Sequence, residues 1–140
     1  MRYLDGLLIN ISNRCRIVLE KIVHAEAQGE GLEGQIHVGN VIINRCRSSA
    51  FPDGIYNVVF AHSVKDDGSK VYRFSPVGDG AYEKAVPSAS VKAAVDKVLE
   101  GRSDSQGATY FCSVASAQKG NWHERALTFL FEHGNHRFYR

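Results

Sequence analysis

Glu26 is the residue whose surroundings are at odds with its type. It follows Leu19 by seven positions, Ile22 by four and Val23 by three. In a helix those spacings place its carboxyl on the apolar face, near the C-terminal end. Carboxylates rarely sit there without a partner. Burial disfavours the ionised form, and the negative end of the helix dipole disfavours it further. Both push the pKa up, which is what a general acid needs to hold a proton at neutral pH. The same position also suits a structural glutamate bonded to buried backbone or to an arginine such as Arg45. Glu30 lies four residues on and shares the face only if the helix continues through Gly29. It reads as a second carboxylate or as a solvated residue at the helix exit, and the glycine favours the latter.

Six histidines raise the question of metal chemistry. His133 and His136 have HxxH spacing, and His24 stands two residues before Glu26. Zinc needs about three protein ligands of suitable geometry. HExxH is absent, as is the deaminase pattern of HxE followed by PCxxC. A metal-dependent amidase or peptidase is the chemical rival, and the reading assigns no metal or other cofactor. The three cysteines, Cys15, Cys46 and Cys112, are odd in number, widely spaced and without CxxC. They read as buried small apolar residues, not as a disulfide framework or a zinc site. That setting argues against a cysteine–histidine peptidase, because buried thiols are inert.

The elements that must position these groups follow from periodicity. Ser12 and Asn13 cap a first helix, roughly Ser12 to Gln28, with Cys15, Val18, Leu19, Ile22 and Val23 on one face and Gly29 and Gly31 ending it. A second helix is predicted from Leu32 to Arg47, apolar around most of its circumference. It carries a second stripe of His37, Asn40, Val41 and Asn44, polar in three of its four members. Phe51-Pro52-Asp53-Gly54 is a turn. Ile55 to Phe60 is a short helix or a strand. Ala61 to Gly80 reads as a long surface loop. Ser88 or Ser90 caps a third amphipathic helix that stops at Gly101, with Val91, Ala94, Val95, Val98 and Leu99 on its buried stripe. Strands are predicted at Ala108 to Ser113, Leu127 to Glu132 and Arg137 to Tyr139, with His133 to His136 as the turn between the last two. Helices followed by a small antiparallel sheet make an α+β pattern.

The chain has 140 residues, 44% apolar and 23% charged, with no repeat or linker, so a single domain over residues 1–140 is expected. A net charge of +2 without a basic run argues against a nucleic-acid partner. It suits an anionic polymer. The apolar run Leu7 to Ile11 is too short for a signal-peptide core or a membrane span. The expectation is a protein that leaves the cytosol without an ordinary signal or works where it is made.

Several ordered blocks together carry a resemblance. His24-Ala25-Glu26-Ala27-Gln28-Gly29-Glu30-Gly31 is followed by Glu33-Gly34-Gln35 and then by Val38-Gly39-Asn40-Val41-Ile42-Ile43-Asn44-Arg45. Phe51-Pro52, the Phe74-to-Gly80 segment, Gly107 to Phe111 and His136-Arg137-Phe138-Tyr139 continue the pattern. The whole resembles the SleB/CwlJ-type cell wall hydrolases, over about residues 17–139. The resemblance implies a fold similar to lysozymes, resuscitation-promoting factors and lytic transglycosylases. It implies spore-cortex or cell-wall peptidoglycan as substrate, and it puts the family's catalytic acid on Glu26. The lack of a signal resembles the CwlJ-like branch, whose members are deposited in the spore coat, so a coat protein is an expected partner.

The reaction so implied is cleavage between N-acetylmuramic acid and N-acetylglucosamine. In a lytic transglycosylase the muramic 6-hydroxyl attacks its own C1, and one carboxyl serves as acid and then as base. Hydrolysis ordinarily uses two carboxyls, for which Glu30 and Asp79 are the candidates. Gln35, Asn44, Ser75, Asp79 and Tyr110 are the expected substrate-binding residues, Asn44 alternatively binding only backbone, with Phe111 pointing away from Tyr110's side. Trp122 and Tyr139 are assigned to the core. A non-catalytic wall-binding or coat-assembly module is the alternative from a different class.

Overall fold

The computed structural model describes residues 2–4, 7–9 and 12–140, with side chains from Ser12 onward. Helix α1 spans Asn13–Ala27, and its N-terminus is closed by the Ser12 hydroxyl accepting from the Cys15 amide at 3.2 Å. Helix α2 spans Leu32–Cys46 and is buried on almost every side, as its continuous apolar circumference predicts. Its polar stripe is spent on one segment of chain. His37 Nδ1 lies 2.7 Å from the Ser105 hydroxyl, Asn40 donates to the same oxygen at 2.8 Å, and Asn44 donates to the Ala108 carbonyl at 2.9 Å. That stripe therefore anchors the approach to the sheet.

Helix α3 is Ile55–Val59, which settles the undecided apolar run in favour of helix. The 61–80 stretch is not the long loop that its composition suggested. It holds a hairpin of β-strands His62–Val64 and Lys70–Tyr72, then a short helix, Ser75–Asp79. The hairpin closes at Gly68, whose φ is +84°, while the Asp67 carboxylate accepts from the Ser69 amide at 2.9 Å. All three residues of its first strand are exposed, so no apolar alternation announces it.

A four-residue turn of helix, Ala81–Lys84, leads to a longer helix, Ala89–Leu99, capped by the Ser88 hydroxyl at 3.1 Å from the Val91 amide. This longer helix crosses α2 at Gly39. A Cβ at Gly39 would stand 3.0 Å from Val98 Cγ2, so glycine lets the two backbones approach. Around that crossing lies the core: Leu19, Ile22 and Val23 of α1, Ile36, Val38 and Ile42 of α2, and Val91, Ala94, Val95 and Val98 opposite.

Three strands form the sheet: Tyr110–Ser113, Phe129–His133 and His136–Tyr139. The last lies between the other two, antiparallel to both. The turn between the final pair is Gly134–Asn135 alone, shorter than the four residues expected. Two five-residue helices, Val114–Gln118 and Trp122–Ala126, separate the first strand from the others, in a stretch without a strong hydrophobic period. A two-stranded pair, Arg2–Leu4 with Leu7–Ile9, begins the chain. The expected apolar run there extends to Ile11, outside the described residues. Among the described residues no helix is long and apolar enough to cross a membrane. The molecule is helical with small antiparallel sheets.

Candidate active site

Glu26 stands in the last turn of α1 and lines a cavity of about 900 Å³. No hydrogen bond or ion pair from the described residues reaches its carboxyl. Arg45, the alternative salt-bridge partner, forms no ion pair with it and donates through Nε to the Thr109 carbonyl at 2.7 Å. Burial raises the Glu26 pKa from 4.5 to about 7, and the negative charge of Asp79 adds to the rise. A partnerless carboxyl in an open cavity, half protonated at neutral pH, has the properties of a proton donor.

The walls come from elements distant in sequence. The 50–52 turn supplies Phe51 and Pro52, and the hairpin supplies His62 and Tyr72. Phe74 and Ser75 come from the segment after it, the edge strand contributes Tyr110 to Ser113, and Trp122, His123 and His136 complete the lining. The lining is rich in rings. Tyr110 meets Phe51 at 5.7 Å and Trp122 at 5.8 Å between ring centroids. Such faces bind the apolar sides of pyranose rings, while the polar groups between them suit hydroxyl and amide substituents.

The structure brings three of the expected site residues together: Glu26, Ser75 and Tyr110 line one cavity. Asp79 is exposed just beyond, where its carboxylate accepts from the Ala81 amide at 2.9 Å. Two other expectations are corrected. Gln35 is fully buried; its amide donates to the Ala27 and Glu30 carbonyls at 3.3 and 3.0 Å and accepts from Ser90. It ties the α1–α2 connection to the Ala89–Leu99 helix and does not reach the cavity. Asn44 is held by the Ala108 carbonyl and by Arg47, again away from the lining.

Glu30 is neither a second cavity carboxylate nor solvated. It accepts from the Asn135 amide at 2.9 Å and from the Asn135 side chain at 3.3 Å, which locks the turn of the last hairpin. His136 Nδ1 lies 3.5 Å from Glu30 Oε1, an electrostatic contact too long for a hydrogen bond. Burial lowers the His136 pKa, His133 lowers it further, and Glu30 opposes both. His133 turns away to pack against the His37 ring at 5.0 Å. The HxxH pair therefore does not converge, and among the described residues no three His, Cys, Asp or Glu side chains are grouped to hold a metal ion.

Other sequence assignments also shift. Trp122, assigned to the core, is half exposed on the cavity, whereas Tyr139 is fully buried as expected. Phe111 lines the cavity together with Tyr110, because their strand lies at the edge of the sheet and the cavity meets it from both alternations. Cys112 also borders the cavity, while burial pushes the Cys46 thiol up to about 12. All three cysteines are half-buried and free. Arg45, Phe51, His62, Tyr72, His123 and His136 complete the site and were not singled out as site residues. The signal for Arg45, Phe51 and His136 was their place in the Val38-to-Arg45, Phe51-Pro52 and His136-to-Tyr139 blocks, which belong to the resemblance and to no periodicity, and His62, Tyr72 and His123 had none.

Comparison with known proteins bears on the family and the fold. A family described as Cell Wall Hydrolase matches residues 29–139, a range that begins just after Glu26. The chain is 33% identical over 103 residues to a spore cortex-lytic enzyme of Halalkalibacterium halodurans, covering 74% of this chain and 28% of that protein. It is 31% identical over 106 residues to a spore cortex-lytic enzyme of Bacillus subtilis, covering 76% and 32%. The chain thus spans about a third of the length of these relatives. Its fold matches the catalytic domain of the germination-specific lytic transglycosylase SleB from Bacillus anthracis, with a TM-score of 0.78, 24% identity and coverage of 96% and 100%. The catalytic domain of the Bacillus cereus SleB protein gives a TM-score of 0.75 at 23% identity, covering 99% and 98%.

Proposed function

Because the chain belongs to the cell wall hydrolase family, we propose that it is a peptidoglycan-cleaving glycosidase whose proton donor is Glu26. The observation that carries the reading is a carboxyl with a pKa near 7 and no partner among the described residues, facing a ring-lined cavity. The substrate is the alternating N-acetylmuramic acid and N-acetylglucosamine strand of spore cortex or cell wall. A coat protein that holds the enzyme at the cortex belongs to the same reading.

In the first step Glu26 gives its proton to the glycosidic oxygen, and the C1–O bond of the muramic residue breaks with its electron pair on that oxygen. The ring is left with oxocarbenium character. Glu26, now a carboxylate, takes the proton of the muramic 6-hydroxyl as that oxygen bonds to C1. The product is a 1,6-anhydro end, and Glu26 regains its acid form. This route is favoured because Glu26 is the sole carboxylate among the residues lining the cavity. Hydrolysis would add water at C1 and give a reducing end about 18 Da heavier, with Asp79 as the carboxylate nearest to hand.

The test is Glu26→Gln assayed on purified cortex fragments. The variant is expected to keep its circular-dichroism spectrum and lose muropeptide release by at least about a hundredfold. Release at the wild-type rate would overturn the assignment. Mass spectrometry of the wild-type products separates the anhydro from the hydrated route.

A further inference from the structure

Arg45 is a buried cation with no counter-charge among the described residues. Its residue is 7% exposed, and among the described residues no carboxylate lies within ion-pair reach. Its Nε donates to the Thr109 carbonyl at 2.7 Å. Its guanidinium carbon sits 4.8 Å from the centroids of Phe51 and Tyr110 and 4.9 Å from that of Phe74. Those three rings and Arg45 all line the cavity that Glu26 lines. The two terminal nitrogens have no acceptor among the described residues, yet neither is sealed from solvent. They therefore open on the cavity.

An uncompensated charge in such a place is costly to fold around. Three rings recover part of that cost through cation–π attraction. They also fix the plane of the guanidinium and leave the edge with its paired N–H groups free. That edge matches one ligand chemistry, a carboxylate bound by two parallel hydrogen bonds. The position is offset from the reacting bond. Asp79, not Arg45, is the charge that acts on Glu26, whereas Arg45 acts on His123. Arg73, a second cation on the lining, adds to the positive field at the Arg45 end, while Glu26 in its acid form adds no negative charge.

We propose that Arg45, walled by Phe51, Phe74 and Tyr110, is an anion subsite that binds a carboxylate of the glycan substrate away from the bond being cleaved. The proposal rests on the glycosidase reading above. Two groups on a muramic residue offer this chemistry: the lactyl carboxylate where no peptide is attached, and the carboxylates of the stem peptide where one is. The guanidinium holds the strand in register and takes no part in proton transfer.

The experiment uses the wild-type chain and two kinds of glycan strand, one with stem peptides and one stripped of them by an amidase. Each is supplied with free carboxylates and with carboxylates converted to methylamides. The expected result is that blocking raises KM about tenfold or more in at least one kind of strand, with kcat little changed. The strand that responds identifies the source of the carboxylate. Arg45→Lys, which keeps the charge but loses the fork, is expected to erase most of the difference between free and blocked strands. Equal KM for free and blocked strands of both kinds, with cleavage continuing, would overturn the subsite and leave the glycosidase reading standing. Failure to cleave any strand would overturn the glycosidase reading, and the subsite with it.

Discussion

Glu26 ties stability to function. Its pKa rises from an ordinary 4.5 to about 7 because the fold favours the neutral form. Its contribution to stability is therefore complete below about 4.5 and is lost as pH rises through about 7, where a buried charge must form. The upper limit of that loss is about 3 kcal/mol, at about 1.4 kcal/mol per unit. Glu26→Gln removes it, so the variant should exceed the wild type in stability at pH 8 and match it near pH 4. Urea denaturation at the two pH values reads this directly, and a difference that does not change with pH contradicts it. The other carboxylate of the motif has the opposite character. Glu30 stabilises through the Asn135 turn, and a Cβ on Gly134 would stand 2.5 Å from Glu30 Oε1 at a residue whose φ is +57°. Gly134→Ala should cost about 1–3 kcal/mol, measured as a lowered urea midpoint with an unchanged slope. From sequence the two glutamates differ only in position on a helix. Glu26 was legible because apolar neighbours frame it, and Glu30 was not, because its partner lies 105 positions away.

At the scale of elements, periodicity worked where an element is long and buried on one face. The helices Asn13–Ala27 and Ala89–Leu99 have their expected extents to within a residue or two of the caps. The Leu32–Cys46 helix was also legible, but its facing was not. Gln35 lies on its buried circumference and Asn44 on the polar stripe that faces the Ala108 carbonyl, so neither of these expected site residues lines the cavity. The 62–72 hairpin failed for the reverse reason: three-residue strands with exposed side chains leave only an Asp-Gly turn as a signal. Packing between the helices yields a further prediction. Gly39→Ala places a methyl 3.0 Å from Val98 Cγ2 and should cost about 1–3 kcal/mol by overpacking. Val98→Ala also destabilises alone, by opening a void. The double variant should lose less than the sum of the two, as urea melts of all three would show. Additive losses would mean that the crossing is not limited by that contact.

For the whole molecule, division of labour follows from the chain order. The helical part holds the acid on a rigid, buried element, and the later segments bring the cavity walls. Those walls come from the 50–52 turn, the hairpin, the sheet edge and the Trp122–Ala126 helix. No local pattern could predict that these segments meet, since the contacts join residues tens of positions apart. The ordered blocks of the resemblance include Glu26, Ser75 and Tyr110, which the fold brings to one cavity. The account as a whole depends on one charge state, that of the Glu26 carboxyl in the free enzyme. Carbon-13 labelling of glutamate side chains, with Glu26 assigned by comparison with Glu26→Gln, allows its titration to be followed by NMR in the folded protein. A midpoint near 7 is predicted. A midpoint in the ordinary carboxylate range, near 4.3, would contradict a proton held for catalysis at neutral pH.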